Sequence, residues 1–158
     1  MPDIRTCTSF AHAQLWQVAG RPKELRALDP TTGDVVTRVR LASETACGME
    51  VVGDRFWTTL EECVLRLCRL RDGGIEREFA AQPHIAGVTL GLGDVWYPVD
   101  DPGLVVRADP ETGSEVDRYD FAGTPTGLGW DGSRLWCADH AARAPRRVTP
   151  AIARRVPS

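Results

Sequence analysis

The chain has 158 residues, an apolar fraction of 42% and a formal net charge of −3. That size suits one domain able to bury about two-thirds of its unfolded surface, and the composition is too apolar for a disordered chain. Charges of both signs are scattered along the sequence, which excludes a general nucleic-acid binder with its concentrated positive face.

Other features narrow the class further. The start, Met1-Pro2-Asp3-Ile4-Arg5, has no apolar stretch of the kind a secretion leader carries, and no apolar run approaches the ~20 residues of a membrane span. The five cysteines are Cys7, Cys47, Cys63, Cys68 and Cys137. Their odd number, without a leader, predicts reduced thiols and a cytoplasmic protein. Lys23 is the only lysine, a bias typical of a GC-rich bacterial genome. Arg143, Arg146, Arg147, Arg154 and Arg155 read as the solvated edge of the last structural unit.

The organisation emerges from a repeat. Trp16, Trp57, Trp96 and Trp136 are separated by 41, 39 and 40 residues, and only Trp130 falls outside the series. A glycine stands nine residues before three of them, as Gly48, Gly87 and Gly127, with Cys7 in the first copy. A turn sequence precedes the tryptophan strand at Gly53-Asp54, Gly93-Asp94 and Asp131-Gly132-Ser133. Another follows it at Asp29-Pro30-Thr31-Thr32-Gly33, Asp72-Gly73-Gly74 and Asp109-Pro110-Glu111-Thr112-Gly113, with a decayed copy at Thr149-Pro150. Proline presets φ, aspartate bonds to the backbone beyond it, and glycine accepts φ > 0.

In chain order, each unit then predicts four short strands. Strand A runs through the marker glycine, B carries the tryptophan, C reaches the aspartate turn and D follows it. Glu24–Leu28 and Asp34–Leu41 flank one such turn as a hairpin. Val64–Leu70 also fits a short amphipathic helix, but its place in the repeat predicts a strand. The last D strand is expected near Val148 to Val156. Four strands per ~40 residues, repeated, predict an all-β fold, a small β-propeller with blades at about 1–41, 42–80, 81–121 and 122–158.

The segment Pro125-Thr126-Gly127-Leu128-Gly129-Trp130-Asp131-Gly132-Ser133-Arg134-Leu135-Trp136-Cys137-Ala138-Asp139 resembles the blade core of bacterial propellers. These are of the streptogramin lyase, YVTN, NHL and glutamine cyclotransferase types. The resemblance spans nearly the whole chain and speaks for the fold. Those families usually carry five to seven blades, and no catalytic residue of theirs maps onto this sequence. Two ways of completing the ring follow: a compact monomer closed by blade 1 on blade 4, or a homodimer of two half-rings with eight blades.

In such propellers the D–A and B–C loops surround the channel mouth. By register, the D–A positions include Thr45, Cys47, His84, Thr124 and Thr126, and the B–C positions Glu61, Glu62, Asp100, Asp101, Asp139 and His140. His84, Glu61 and His140 are the candidate catalytic residues, since imidazole and carboxylate pair as acid and base. Cys47, Asp100, Asp139, Thr126 and the off-register Trp130 are candidates for ligand contact, and the carboxylates for a divalent cation. No phosphate loop, dinucleotide fingerprint, Cys/His metal cluster or nucleophile elbow is present. Two functions fit. One is a small-molecule site at the channel mouth, of lyase or cyclase type, which requires converging titratable groups. The other is a noncatalytic interaction module, which requires a face of exposed aromatics and no such convergence.

Overall fold

The computed structural model describes residues 8–61 and 63–148. Cys7, Glu62, the Thr149–Pro150 turn, the D strand expected beyond Val148, and Arg154 and Arg155 lie outside them. The described residues hold fifteen strands and no helix. No helix long and apolar enough to cross a membrane occurs among them.

The strands form four antiparallel meanders in chain order. Blade 1 holds β1 (Thr8–Ala11), β2 (Gln14–Ala19), β3 (Glu24–Leu28) and β4 (Val35–Arg40). Blade 2 holds β5 (Ala46–Val52), β6 (Arg55–Leu60), β7 (Val64–Arg69) and β8 (Ile75–Ala80). Blade 3 holds β9 (Thr89–Gly91), β10 (Asp94–Val99), β11 (Leu104–Ala108) and β12 (Glu115–Asp120). Blade 4 has three described strands, β13 (Pro125–Trp130), β14 (Leu135–Asp139) and β15 (Ala144–Val148). The chain is thus a four-bladed β-propeller, as the repeat predicts. The stretch that locally suits a helix is β7, because its apolar residues pack at strand spacing between two neighbours.

Each marker performs the same task in each copy. In the turn after β3, Asp29 Oδ1 accepts from Thr31 N (2.7 Å) and Thr32 N (3.2 Å), and Gly33 N donates to Asp29 O (2.7 Å). Asp109 Oδ1 repeats this with Glu111 N (2.7 Å) and Thr112 N (3.1 Å). Gly33 and Gly113 both have positive φ, which the turn requires. The outer strands are laced to the B–C loops in register: Leu41 N donates to Lys23 O, Ala81 N to Cys63 O and Phe121 N to Gly103 O.

The core lies between blades. One cluster joins Trp16, Val18 and Leu25 of blade 1 to Met49, Val51 and Phe56 of blade 2. A second joins Trp57, Leu65 and Leu67 to Val88, Val95 and Tyr97, and a third joins Trp96, Val105 and Tyr119 to Leu135, Cys137 and Val148. In each, the tryptophan-bearing face of one blade meets the opposite face of the next. Trp57 stacks on Phe79 (6.5 Å between centroids) and Trp96 on Tyr119 (5.9 Å). Trp16 and Trp96 donate their indole N–H to carbonyls five residues upstream, Ala11 and Gly91. A buried tryptophan removes on the order of 200 Å² from water, worth about 5 kcal/mol.

Trp130 also belongs to the repeat, in another series. It pairs with Leu135 as Phe10 pairs with Leu15, Val51 with Phe56 and Leu90 with Val95. Its ring lies against the backbone of Gly91 in blade 3, where an added Cβ would come within 2.7 Å of it. The tryptophan that breaks the first spacing is therefore a wedge on the opposite blade face.

Candidate functional site

A four-stranded meander places its D–A and B–C loops at one end, and the structure puts the predicted residues there in a repeating pattern. Glu61 N donates to Thr45 O (3.2 Å), Asp100 N to His84 O (3.2 Å) and His140 N to Thr124 O (2.9 Å). Glu61, Asp100 and His140 thus hold one equivalent position in three different blades. They are spread around the mouth, one per blade, instead of being gathered.

Two side chains of this set approach each other within blade 3. His84, held at φ 62°, points Nδ1 toward Asp100 Oδ1 at 3.8 Å, too long for a hydrogen bond. Asp100 Oδ1 has no hydrogen-bond partner among the described residues. The pair is an ion pair only when the imidazole is protonated. Glu61, Asp101 and His140 are exposed.

The remaining candidates are committed to the scaffold. Asp139 is the last residue of β14 and is buried. Its Oδ1 accepts from Thr124 N (3.0 Å) and Ala141 N (3.1 Å), and its Oδ2 from Arg146 (3.1 Å). These donors, the backbone N–H of Thr124 foremost, hold its carboxyl below the usual range. Cys47 is buried, with Sγ 3.3 Å from Thr59 Oγ1, and Thr59 donates to Ala86 O of the next blade. Thr126 donates to Ala138 O within its own blade (3.3 Å). Trp130 lines a crevice of about 390 Å³ between blades 3 and 4 with Leu92, Trp96 and Leu135. That crevice reaches the A–B turns, at the opposite end from His84.

A pocket of about 430 Å³ runs along the inner strands and onto the outer face of blade 4. Thr8, Met49, Val88 and Leu128 line it, with the glycines Gly87, Gly127 and Gly129, and then Trp136. Among the described residues its lining contains no imidazole and no carboxylate. Its described thiol, Cys137, is pushed up to about 12 by burial. Among the described residues no group of three His, Cys, Asp or Glu side chains is placed to hold a metal ion.

One half-buried carboxyl was not among the sequence candidates. Glu50 of β5 receives Thr89 Oγ1 of blade 3 at 3.5 Å and is hydrogen-bonded by Ser9 of blade 1. Burial pushes its carboxyl up, and the two hydroxyls offset part of that. Ser9, Glu50 and Thr89 are spaced 41 and 39 residues apart, the tryptophan spacing itself. Reading every position of the repeat, and not only its markers, would have exposed this one acid in a series of hydroxyls.

No protein-family model and no curated protein matches the sequence. Solved structures do. The glutaminyl cyclase of Myxococcus xanthus is similar at TM-score 0.75 and 14% identity, over 90% of this chain and 70% of that one. BamB of Moraxella catarrhalis is similar at 0.60 and 16%, over 84% of this chain and 39% of BamB. The computationally designed Ika4 protein is similar at 0.62 and 13%, over 94% of this chain and 92% of Ika4. At such identities the likeness is one of fold. Repeat, topology and likeness agree that the chain belongs among the β-propellers, as a unit of four blades.

Proposed function

We propose that this protein is a noncatalytic interaction module that binds through the outer face of blade 4. The observation that carries the reading is Trp136. The equivalent tryptophans, Trp16, Trp57 and Trp96, are 4%, 4% and 1% exposed, whereas Trp136 is 37% exposed. Its N–H is fixed to Asp131 Oδ2 at 2.9 Å, so the ring is held in place while its face stays open to solvent. A rigid, half-exposed tryptophan beside an apolar pocket is a feature of contact surfaces. The spread of titratable groups over three blades, and a central pocket without acid or base among the described residues, support binding over catalysis.

In dilute solution of the unassembled chain, Trp136→Phe should remove most of the acrylamide-quenchable indole fluorescence and leave the melting temperature nearly unchanged. Trp96→Phe should leave the quenchable fraction alone and lower the melting temperature by several degrees. A Trp136 that resists quenching in the single unassembled chain and costs as much as Trp96 would overturn the proposal.

A second reading places a small ligand at the loop mouth of blade 3. It is favoured by the unpartnered Asp100 Oδ1 beside His84. The fold likeness to a glutaminyl cyclase supplies a substrate to try. Turnover of a glutaminyl peptide that is lost in His84→Ala would establish this reading; no turnover and no thermal shift would remove it.

A further inference from the structure

We infer that the partner on the Trp136 face is a second copy of this chain, docked head to tail so that two four-bladed units complete one ring. This inference rests on the interaction-module reading above and names its partner.

The argument starts from the three contacts inside the chain. At each, the tryptophan face of one blade is covered by the reverse face of the following blade. The fourth such face is built from Gly129, Trp136 and Arg147, which are paired in one row, and Gly127, Ala138 and Pro145 in the next. Trp136, Ala138, Pro145 and Arg147 are all exposed. The matching reverse face belongs to blade 1, where Phe10, Leu15 and Leu28 form one row. Phe10 is 67% exposed, although its counterpart Val51 is 5% exposed and Trp130 is half-buried. The two uncovered faces are thus the two halves of the contact already made three times.

Among the described residues the two halves do not meet. Gly48 lies so close to Ala86 and Gly87 that a Cβ there would be 2.6 Å from Ala86 O, and a Cβ on Gly87 would be 3.0 Å from Gly127 Cα. At Gly127 the succession stops among the described residues: an added Cβ there would meet Ala138 of its own blade at 3.8 Å, and one on Gly129 would meet nothing within 4 Å. Instead, the pocket of about 430 Å³ separates Thr8 of blade 1 from Trp136 and Pro145. A twofold arrangement of two chains makes the missing contact twice, face 4 of each on face 1 of the other, and leaves no blade face uncovered.

The test is the mass in solution of the full chain, by sedimentation velocity or light scattering. The expected result is twice the 17.3 kDa of one chain. Trp136→Arg and Phe10→Asp should each halve that mass while circular dichroism keeps its strand signature. Mixed together, the two variants should recover dimers, since one sound face remains on each, and the doubly substituted chain should not. A dimer that ignores Phe10→Asp would overturn the head-to-tail arrangement. A monomer at all concentrations with Trp136 open to quencher would overturn the second copy and leave the interaction module standing. A monomer with Trp136 shielded, destabilised alike by Trp136→Arg and Trp96→Arg, would show that the chain seals its own ring and would overturn both.

Discussion

Glu50 and Asp139 are both carboxyls held inside the blades, and their environments act in opposite senses. Burial raises the Glu50 carboxyl. The folded chain therefore holds its proton to a higher pH than the unfolded chain, and stability falls as pH climbs from about 4.3 through the folded value. Glu50→Gln should raise the melting temperature at pH 7, with the gain shrinking toward pH 4. Asp139 runs the other way. Backbone donors and Arg146 lower it, so its contribution is present above about pH 3.9 and is lost as pH falls through the folded value. Asp139→Asn should cost several degrees at pH 7, a deficit that closes in strong acid; a melting series from pH 2 to 8 checks both. Glu50 was legible only as an odd member of its repeat series, and the role of Asp139 not at all. An acidic residue near a loop reads as solvated or catalytic, and only the three-dimensional neighbours reveal that Asp139 caps Thr124, Ala141 and Ala142.

At the scale of strands and turns, the sequence was most informative where geometry permits few residues. The Asp29 and Asp109 turns match to about a tenth of an ångström in the bonds to their aspartates. Asp29→Ala and Asp109→Ala should therefore lower stability in denaturant by equal amounts. They lie in different blades without a shared partner, so the double substitution should give their sum within about 0.5 kcal/mol. Strand identity at β7 was legible through the repeat and not through local propensity. Trp130 was misread as a register break, because the spacing of one series hides a second: Phe10, Val51, Leu90 and Trp130 recur just as regularly with four different side chains. Convergence of the loop residues depends on the angle between blades, which no single blade encodes.

For the whole molecule, a repeat protein is a row of nearest-neighbour contacts, and its ends differ from its middle only by what covers them. This explains why blades 2 and 3 bury their matching faces while Phe10 and Trp136 remain open. The close backbone approach at Gly48 has a consequence of its own. It acts as a gauge of how crowded the axle is at each station. One methyl group at Gly48 would strike Ala86 O and Gly87 Cα, prying two blades apart and lowering the melting temperature markedly. Among the described residues the same methyl at Gly127 meets only Ala138 at 3.8 Å, so Gly127→Ala should be free of cost in an isolated chain. In a completed ring that tolerance would vanish, and Gly127→Ala would weaken assembly while leaving each unit as stable as before.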